Sequence, residues 1–259
     1  MRKSELIKSP IKNKRENLVF VRAGNQSKHY DLYPLPTERN WDICISCYED
    51  ITPADYEQCE FIISGGLSKW TDFYDQYFQN QNSIQGYKRY MVSDNDVQYS
   101  HKSHIDALFQ ISDQLDLLVA QGSLCENSYC SWKVTKHHPG AVARYTNFVE
   151  CMAPIFHKDA LNILEPLLKE AISGFGLDVV FWDALGRPKN KVGVIDLVKI
   201  HHLKPIDSKG GEWYQFLKNN GVDLSAEVYN FMSRYGLKEF DIQTLGLIPK
   251  PEKIISPEL

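Results

Sequence analysis

The chain has 259 residues, 43% of them hydrophobic and 24% charged, enough for a substantial core in an ordinary globular α/β protein. A formal net charge of −4 argues against a dedicated nucleic-acid binder, which carries a basic surplus. No run approaches the ~20 apolar residues of a membrane-spanning helix, and the basic start lacks the apolar stretch of a signal peptide.

Residues 1–16 are polar and carry six Lys or Arg side chains, Lys12, Lys14 and Arg15 among them. They read as a mobile basic arm, whose charge leaves open a peripheral contact with an anionic membrane. Leu18 to Val21 is a short buried strand closed by Arg22-Ala23-Gly24-Asn25, followed by strands over Ile43–Tyr48 and Glu60–Ser64. After Gly65-Gly66, the residues Trp70, Phe73, Tyr74, Tyr77 and Phe78 recur at helical spacing, an apolar stripe that packs on a sheet.

Tyr87 to Val92 is aromatic and β-branched, hence a strand. Ser103-His104-Ile105-Asp106 resembles a capping box opening a helix through Leu115. Leu117–Ala120 forms a strand, 159–172 a helix kinked or restarted at Pro166, and Val192–Ile200 the final strand. Helices over Trp213–Asn219 and Ser225–Tyr235 follow, and 249–259 is a tail. Strands alternating with helices imply a mostly parallel, layered α/β sheet. The chain divides into the arm 1–16, an α/β domain 17–212, a helical extension 213–248 and the tail.

Cys44 and Cys47 lie on one strand and point to opposite faces, and Cys125 and Cys130 are too loosely spaced for a zinc pair. With Cys59 and Cys151 they read as reduced thiols of a cytoplasmic protein.

The chemistry concentrates in three places. A buried strand runs straight into Asp94-Asn95-Asp96. Two carboxylates one residue apart at the carboxyl end of a strand, where open α/β sheets bind ligands, can share a divalent cation or divide a cation and a sugar hydroxyl. Asp and Asn are also ordinary turn residues, so the motif gains meaning only from its company. Ser173-Gly174-Phe175-Gly176-Leu177-Asp178 lets the backbone turn tightly and delivers Asp178 at the start of an apolar run. Ile200-His201-His202 ends a strand, and alternation turns at most one of the two histidines toward the crevice.

These residues resemble a family of uncharacterised domains, found in bacteria and plants, related to the GT-A-fold nucleotide-sugar glycosyltransferases. The carrying segments are 17–24, 39–42, Asp94-Asn95-Asp96, 138–156, Gly174–Asp178 and 202–205, together spanning most of the chain. Asn95, Phe175 and the pair Leu203-Lys204 depart from the expected pattern, and Lys204 in place of Arg weakens any bidentate grip on phosphate.

The resemblance implies a GT-A-like, Rossmann-like mixed sheet flanked by helices, with helices at the C-terminal end. It implies a metal-dependent, inverting transferase moving a sugar from a nucleotide-diphosphate donor to a glycan or other hydroxyl acceptor, as in surface-polysaccharide synthesis. Mn²⁺, or Mg²⁺, would be held by Asp96, by His202 and, through water or the ribose, by Asp94. Asp178 would be the general base, with Glu150 as second candidate or acceptor-orienting group. Arg22, Ala23, Gly24, Asn25, Asp42 and Tyr48 would form the nucleotide pocket. Two other readings stand beside this one: an inactive GT-A-like module that binds a glycan or nucleotide or scaffolds a partner, and a metal-dependent phosphohydrolase. The latter usually needs more ligands than Asp94, Asp96 and His202.

Overall fold

The structure is a computed structural model that describes residues 4–9, 14–24, 35–48, 58–80, 84–205 and 211–251. Asn25 of the expected nucleotide pocket lies outside the described residues. Eleven strands form one sheet: β1 Glu5–Lys8, β2 Asn17–Ala23, β3 Trp41–Cys47, β4 Phe61–Ser64, β5 Arg89–Asp94, β6 Val97–Tyr99, β7 Val119–Leu124, β8 Ala141–Thr146, β9 Ile155–His157, β10 Val192–His202 and β11 Thr244–Pro249. The helices are α1 Lys69–Tyr74, α2 His104–Gln114, α3 Lys158–Leu168, α4 Leu177–Ala184, α5 Glu212–Asn219 and α6 Leu224–Arg234.

Along the sheet the strands run β1-β4-β3-β2-β5-β9-β7-β10-β8-β11, with β6 pairing β10. The pairs β4–β3, β3–β2, β2–β5 and β7–β10 are parallel, and β9 lies antiparallel between β5 and β7. β2, β5, β7 and β10 therefore end on the same side. From β2 the chain passes to β3 and β4 on one flank and then to β5 on the other, the kind of switch point at which open α/β sheets bind ligands.

Strand alternation sorts the core. Leu18, Phe20 and Cys44 face one layer with Trp70, Phe73, Leu161 and Phe181. Val19, Val21 and Cys47 face the other, with Ile105, Leu108 and Phe109 of α2. Cys44 and Cys47 thus point apart, and all six cysteines are free thiols. The stripe from Trp70 to Tyr77 is buried against the sheet, each large side chain contributing about 1.5–3 kcal/mol. Beyond Tyr74 it continues as a π-turn over Asp75–Gln79.

Several expectations are corrected. Glu5–Lys8 of the basic arm pairs with β4 as an edge strand, and Arg15 is tied to Asp42 and Glu60 at 2.5 and 2.8 Å. The arm has opposite charges to bind, which its composition did not reveal. The hydroxyl of Ser103 meets His101 Nδ1 at 2.7 Å and makes no helix cap, whereas Ser68 caps α1 by accepting from Thr71 N at 3.1 Å. The strand expected at Leu117–Ala120 runs on to Leu124, because Gln121 and Ser123 are buried with partners. α3 ends at Leu168, two residues past Pro166. β11 is a further strand, closing the sheet against β8. No helix among the described residues is long and apolar enough to cross a membrane.

Candidate active site

β5 ends at Asp94 beside β2, with Arg22 and Asp94 as register partners. The chain turns through Asn95 and Asp96 into β6, and Val97 pairs with His202 at the end of β10. This short return strand brings the second carboxylate to the imidazole: His202 Nε2 lies 3.5 Å from Asp96 Oδ2. The ring is oriented by Tyr129 O, 3.3 Å from Nδ1, and its backbone N–H donates to Ser128 Oγ at 2.8 Å. Alternation sends His201 the other way, to Asn127 O at 3.1 Å.

The two carboxylates differ in setting. Burial alone would raise the pKa of Asp96, but the hydrogen bond and charge of His202, helped by Lys204, pull it below the usual range. Burial would lower the pKa of His202, and Asp96 overrides this and raises it. Desolvation raises Asp94, opposed by Lys69, whose ammonium lies 2.8 Å from Asp94 Oδ1.

Glu150 and Asp178 complete the group. Glu150 is only 6% exposed. Its backbone N–H donates to Gln121 Oε1 in the middle of β7, and burial, with the charge of Asp94 adding, pushes its carboxyl up to about 7 against the pull of His202. Asp178 sits in the first turn of α4, and burial and then the charge of Glu150 push it to about 7. Backbone groups of Val179, Asp178 and Cys151 bond its carboxylate. The thiol of Cys151 is driven well above its ordinary pKa by burial and by Asp178, so it is no ready nucleophile.

The loop that delivers Asp178 is tightly built. Gly174 and Gly176 have φ of +84° and +79°, and a Cβ on Gly174 would run into the Trp70 indole. The Glu227 carboxylate of α6 accepts bonds of 3.0 to 3.1 Å from the backbone N–H groups of Ile172, Ser173 and Gly174. Phe175 packs edge-to-face on Tyr214 of α5 at 5.5 Å. The C-terminal helices therefore hold the loop against the sheet.

The expected nucleotide pocket is only partly assembled. Arg22 is buried, and its two terminal nitrogens are taken by Asp72, Gly66 O and Leu67 O. It anchors the turn before α1 rather than offering a free fork. Ala23 is buried with its carbonyl accepting from Tyr48 N at 3.2 Å, and Gly24 follows it at the strand end. The Tyr48 and Trp213 rings flank the Arg22 guanidinium at 5.3 and 5.9 Å. Asp42 does not join them. It is the second residue of β3, roughly 16 Å along the strand from the carboxyl end, and it bonds Arg15 and the Tyr87 hydroxyl.

Do these residues suit a divalent cation? Asp96 Oδ1 and Glu150 Oε2 are buried without a hydrogen-bond partner, and the imidazole beside Asp96 is a borderline nitrogen donor. Carboxylate oxygens with one imidazole suit Mn²⁺ or Mg²⁺. Among the described residues, however, no group of three His, Cys, Asp or Glu side chains gathers closely enough to hold an ion. Asp96 and His202 by themselves supply fewer donors than such an ion takes.

In comparisons with solved structures, GalNAc-T7 with UDP, GalNAc and Mn²⁺ matches with a TM-score of 0.50 and 8% identity, over 88% of this chain and 56% of that one. The chain has the GT-A fold. The chain thus spans little more than half of GalNAc-T7. TarS 1–349 from S. aureus matches with a TM-score of 0.47 and 10% identity, over 85% of this chain and 71% of that one. In sequence, residues 125–233 match the family described as protein of unknown function (DUF707). That stretch includes Glu150, Asp178, His202 and Glu227 and ends within α6. No curated protein matches the chain.

Sequence reasoning overlooked Lys69 and Glu227. A lysine in the first turn of a helix and a glutamate on an amphipathic one are ordinarily solvated, so no local signal marked either.

Proposed function

We propose that this protein is a metal-dependent glycosyltransferase that moves a sugar from a nucleotide-diphosphate donor to a hydroxyl of a glycan or similar acceptor, with inversion. The observation that carries the reading is the gathering of Asp94, Asp96, Glu150, Asp178 and His202, in which Asp96 meets His202, the charges of Asp94 and His202 act on Glu150, and that of Glu150 acts on Asp178. Four carboxylates and an imidazole share that setting on a GT-A fold.

Asp96 and His202 would hold the cation, with Asp94 beside them. A cation there offsets the negative charge that grows on the departing diphosphate. Asp178 acts as general base: as the acceptor oxygen bonds to the anomeric carbon, its proton passes to the Asp178 carboxylate. The bond from that carbon to the diphosphate oxygen breaks, and the nucleoside diphosphate leaves. A carboxylate with a pKa near 7 suits this task better than an ordinary one of roughly 4, because its basicity lies closer to the operating pH. Glu150 raises Asp178 by its charge and orients the acceptor. Tyr48 and Trp213 line the nucleotide side, and the location of a reducing, cytoplasmic protein with an acceptor in surface-polysaccharide synthesis fits this chemistry.

Thermal unfolding with UDP, GDP, CDP, dTDP and ADP, each with and without Mn²⁺, tests the reading. A ligand at 100-fold its Kd stabilises by about 2.7 kcal/mol, or roughly 5–10 °C at this size. The expected result is a shift for one nucleotide that depends on Mn²⁺ and disappears in Asp96→Asn. No shift with any of the five would overturn the transferase reading and favour a module that binds something else.

A further inference from the structure

A cleft of about 110 Å³ lies between α4 and the segment that joins α6 to β11, and none of the five clustered acid and imidazole side chains lines it. α4 supplies Val179, Trp182 and Asp183, which share one helix face at i, i+3 and i+4 spacing. The opposite wall brings Leu237 and Ile242 together with the carboxylates of Glu239 and Asp241.

The polar groups of the cleft are held in place. The Asp183 side chain is only 7% exposed. Arg187 grips its Oδ1 from Nε at 2.8 Å and Nη2 at 2.7 Å, which leaves Oδ2 for a ligand. Arg187 itself stands at a φ of +59°, uncommon for a residue with a side chain, and its N–H donates to Trp182 O at 2.9 Å. Its guanidinium lies 5.8 Å from the Trp182 ring, whose N–H donates to Pro188 O at 2.8 Å. Across the cleft, Asn147 fixes the other wall by donating to Asp241 O at 2.5 Å and accepting from Gln243 N at 2.8 Å. Both walls are built before a ligand arrives, which spares the cost of ordering them.

Size and chemistry narrow the ligand. Pockets for drug-sized molecules run from roughly 300 Å³ upward, so this cleft suits one small ring. Three carboxylates against one guanidinium repel an anion. A purely apolar ring would leave the desolvated Asp183 carboxylate facing it without a partner. A bare ammonium would meet the Arg187 guanidinium and leave the indole and aliphatic lining uncovered. An uncharged pyranose answers each feature: its C–H face covers Trp182 and the aliphatic side chains, and its hydroxyls donate to the carboxylates and accept from Arg187. We propose that this cleft binds one uncharged sugar residue of a glycan, at a site separate from the acid cluster. The inference goes beyond the transferase reading and does not rest on it, because a non-catalytic glycan-binding module would use the cleft in the same way.

The test is saturation-transfer NMR on the full chain with the methyl glycosides of glucose, galactose, mannose, N-acetylglucosamine and N-acetylgalactosamine, read together with the indole N–H signal of Trp182. One of the five is expected to shift that signal and to bind with a Kd on the order of 1 mM, as befits a ligand of about a dozen heavy atoms. Asp183→Ala with Arg187→Ala removes both partners of the pair, so that no buried charge is stranded, and should weaken binding by about tenfold or more. Glu239→Ala with Asp241→Ala, both exposed, should weaken it several-fold and serves if the first double variant fails to fold. Asp96→Asn should leave sugar binding unchanged. No transfer to any of the five glycosides, or binding that survives the double variants, overturns the inference. Sugar binding lost in Asp96→Asn would place the sugar at the acid cluster and overturns it equally. So does a Trp182 signal that moves with Nα-acetyl-lysine amide and with none of the glycosides, which would assign the cleft to a cationic side chain of a partner. In each case the donor-site reading still stands or falls by its own nucleotide titration.

Discussion

Burial pushes the carboxyls of Glu150 and Asp178 up to about 7, and the charge of Glu150 adds to the rise of Asp178. At neutral pH such a carboxyl is partly ionised, and the ionised form of Asp178 is the proposed base. Asp178→Asn should lower kcat by about 10² to 10⁴ while leaving nucleotide affinity within a few-fold, measured by nucleoside-diphosphate release and by binding. Because the base must be ionised, the rate should climb as pH rises through about 7. The charge of Glu150 contributes to the raised pKa of Asp178, so Glu150→Gln should move that acid limb to lower pH. A limb that stays put would assign the titration to another group.

At the scale of elements, the loop from Ile172 to Gly176 links three parts of the fold. Glu227 gathers its backbone N–H groups, Trp70 closes on Gly174, and Val228 lies 2.9 Å from where a Cβ on Gly176 would sit. Left-handed φ costs a non-glycine residue about 1–2 kcal/mol, and overpacking adds about 1–3 kcal/mol. Gly174→Ala should therefore destabilise the protein by roughly 2–5 kcal/mol, seen as a Tm lowered by several degrees, and should also depress activity because the loop carries Asp178. An unchanged Tm would show that the loop yields to the methyl group. Gly86→Ala provides the control: φ there is +95° with nothing within 4 Å of the added Cβ, so only the backbone part of the loss remains.

The whole molecule should feel the same two acids in its stability. A carboxyl whose pKa is raised on folding stabilises fully below its unfolded pKa of about 4, and that contribution disappears as pH rises through the folded value. For Glu150, with a folded value of about 7, the loss between pH 6 and 8.5 is roughly 1.4 kcal/mol, and Asp178 acts in the same direction. In the presence of EDTA, Tm should fall by several degrees from pH 6 to pH 8.5. The fall should be smaller in Glu150→Gln. A flat profile would mean that the two carboxyls ionise freely in the folded protein.

Much of this was legible in the residues, because the features concerned are local. Strand periodicity, the Asp-Asn-Asp strand end, the Gly-Phe-Gly turn and the helical aromatic stripe are fixed by side-chain alternation and backbone sterics over a few residues. The parallel run β4-β3-β2-β5 followed from the order of those elements, whereas six of the ten strand pairings among the described residues are antiparallel and the expectation of a mostly parallel sheet missed them. Alternation gave the opposite outlooks of His201 and His202. Asp42 was misplaced by reading its strand without its direction, although its position as second residue of β3 was enough to put it at the amino end. What the sequence by itself determined was therefore the elements and the carboxylates and imidazole they carry. Tertiary structure alone decided which of these meet: β6 pairs with β10 and carries Asp96 to His202, β11 closes the sheet, Glu227 reaches across from α6, and Lys69 enters the acid cluster. Each depends on register and packing between segments tens of residues apart, where burial and charge pairing act through space and leave no pattern along the chain.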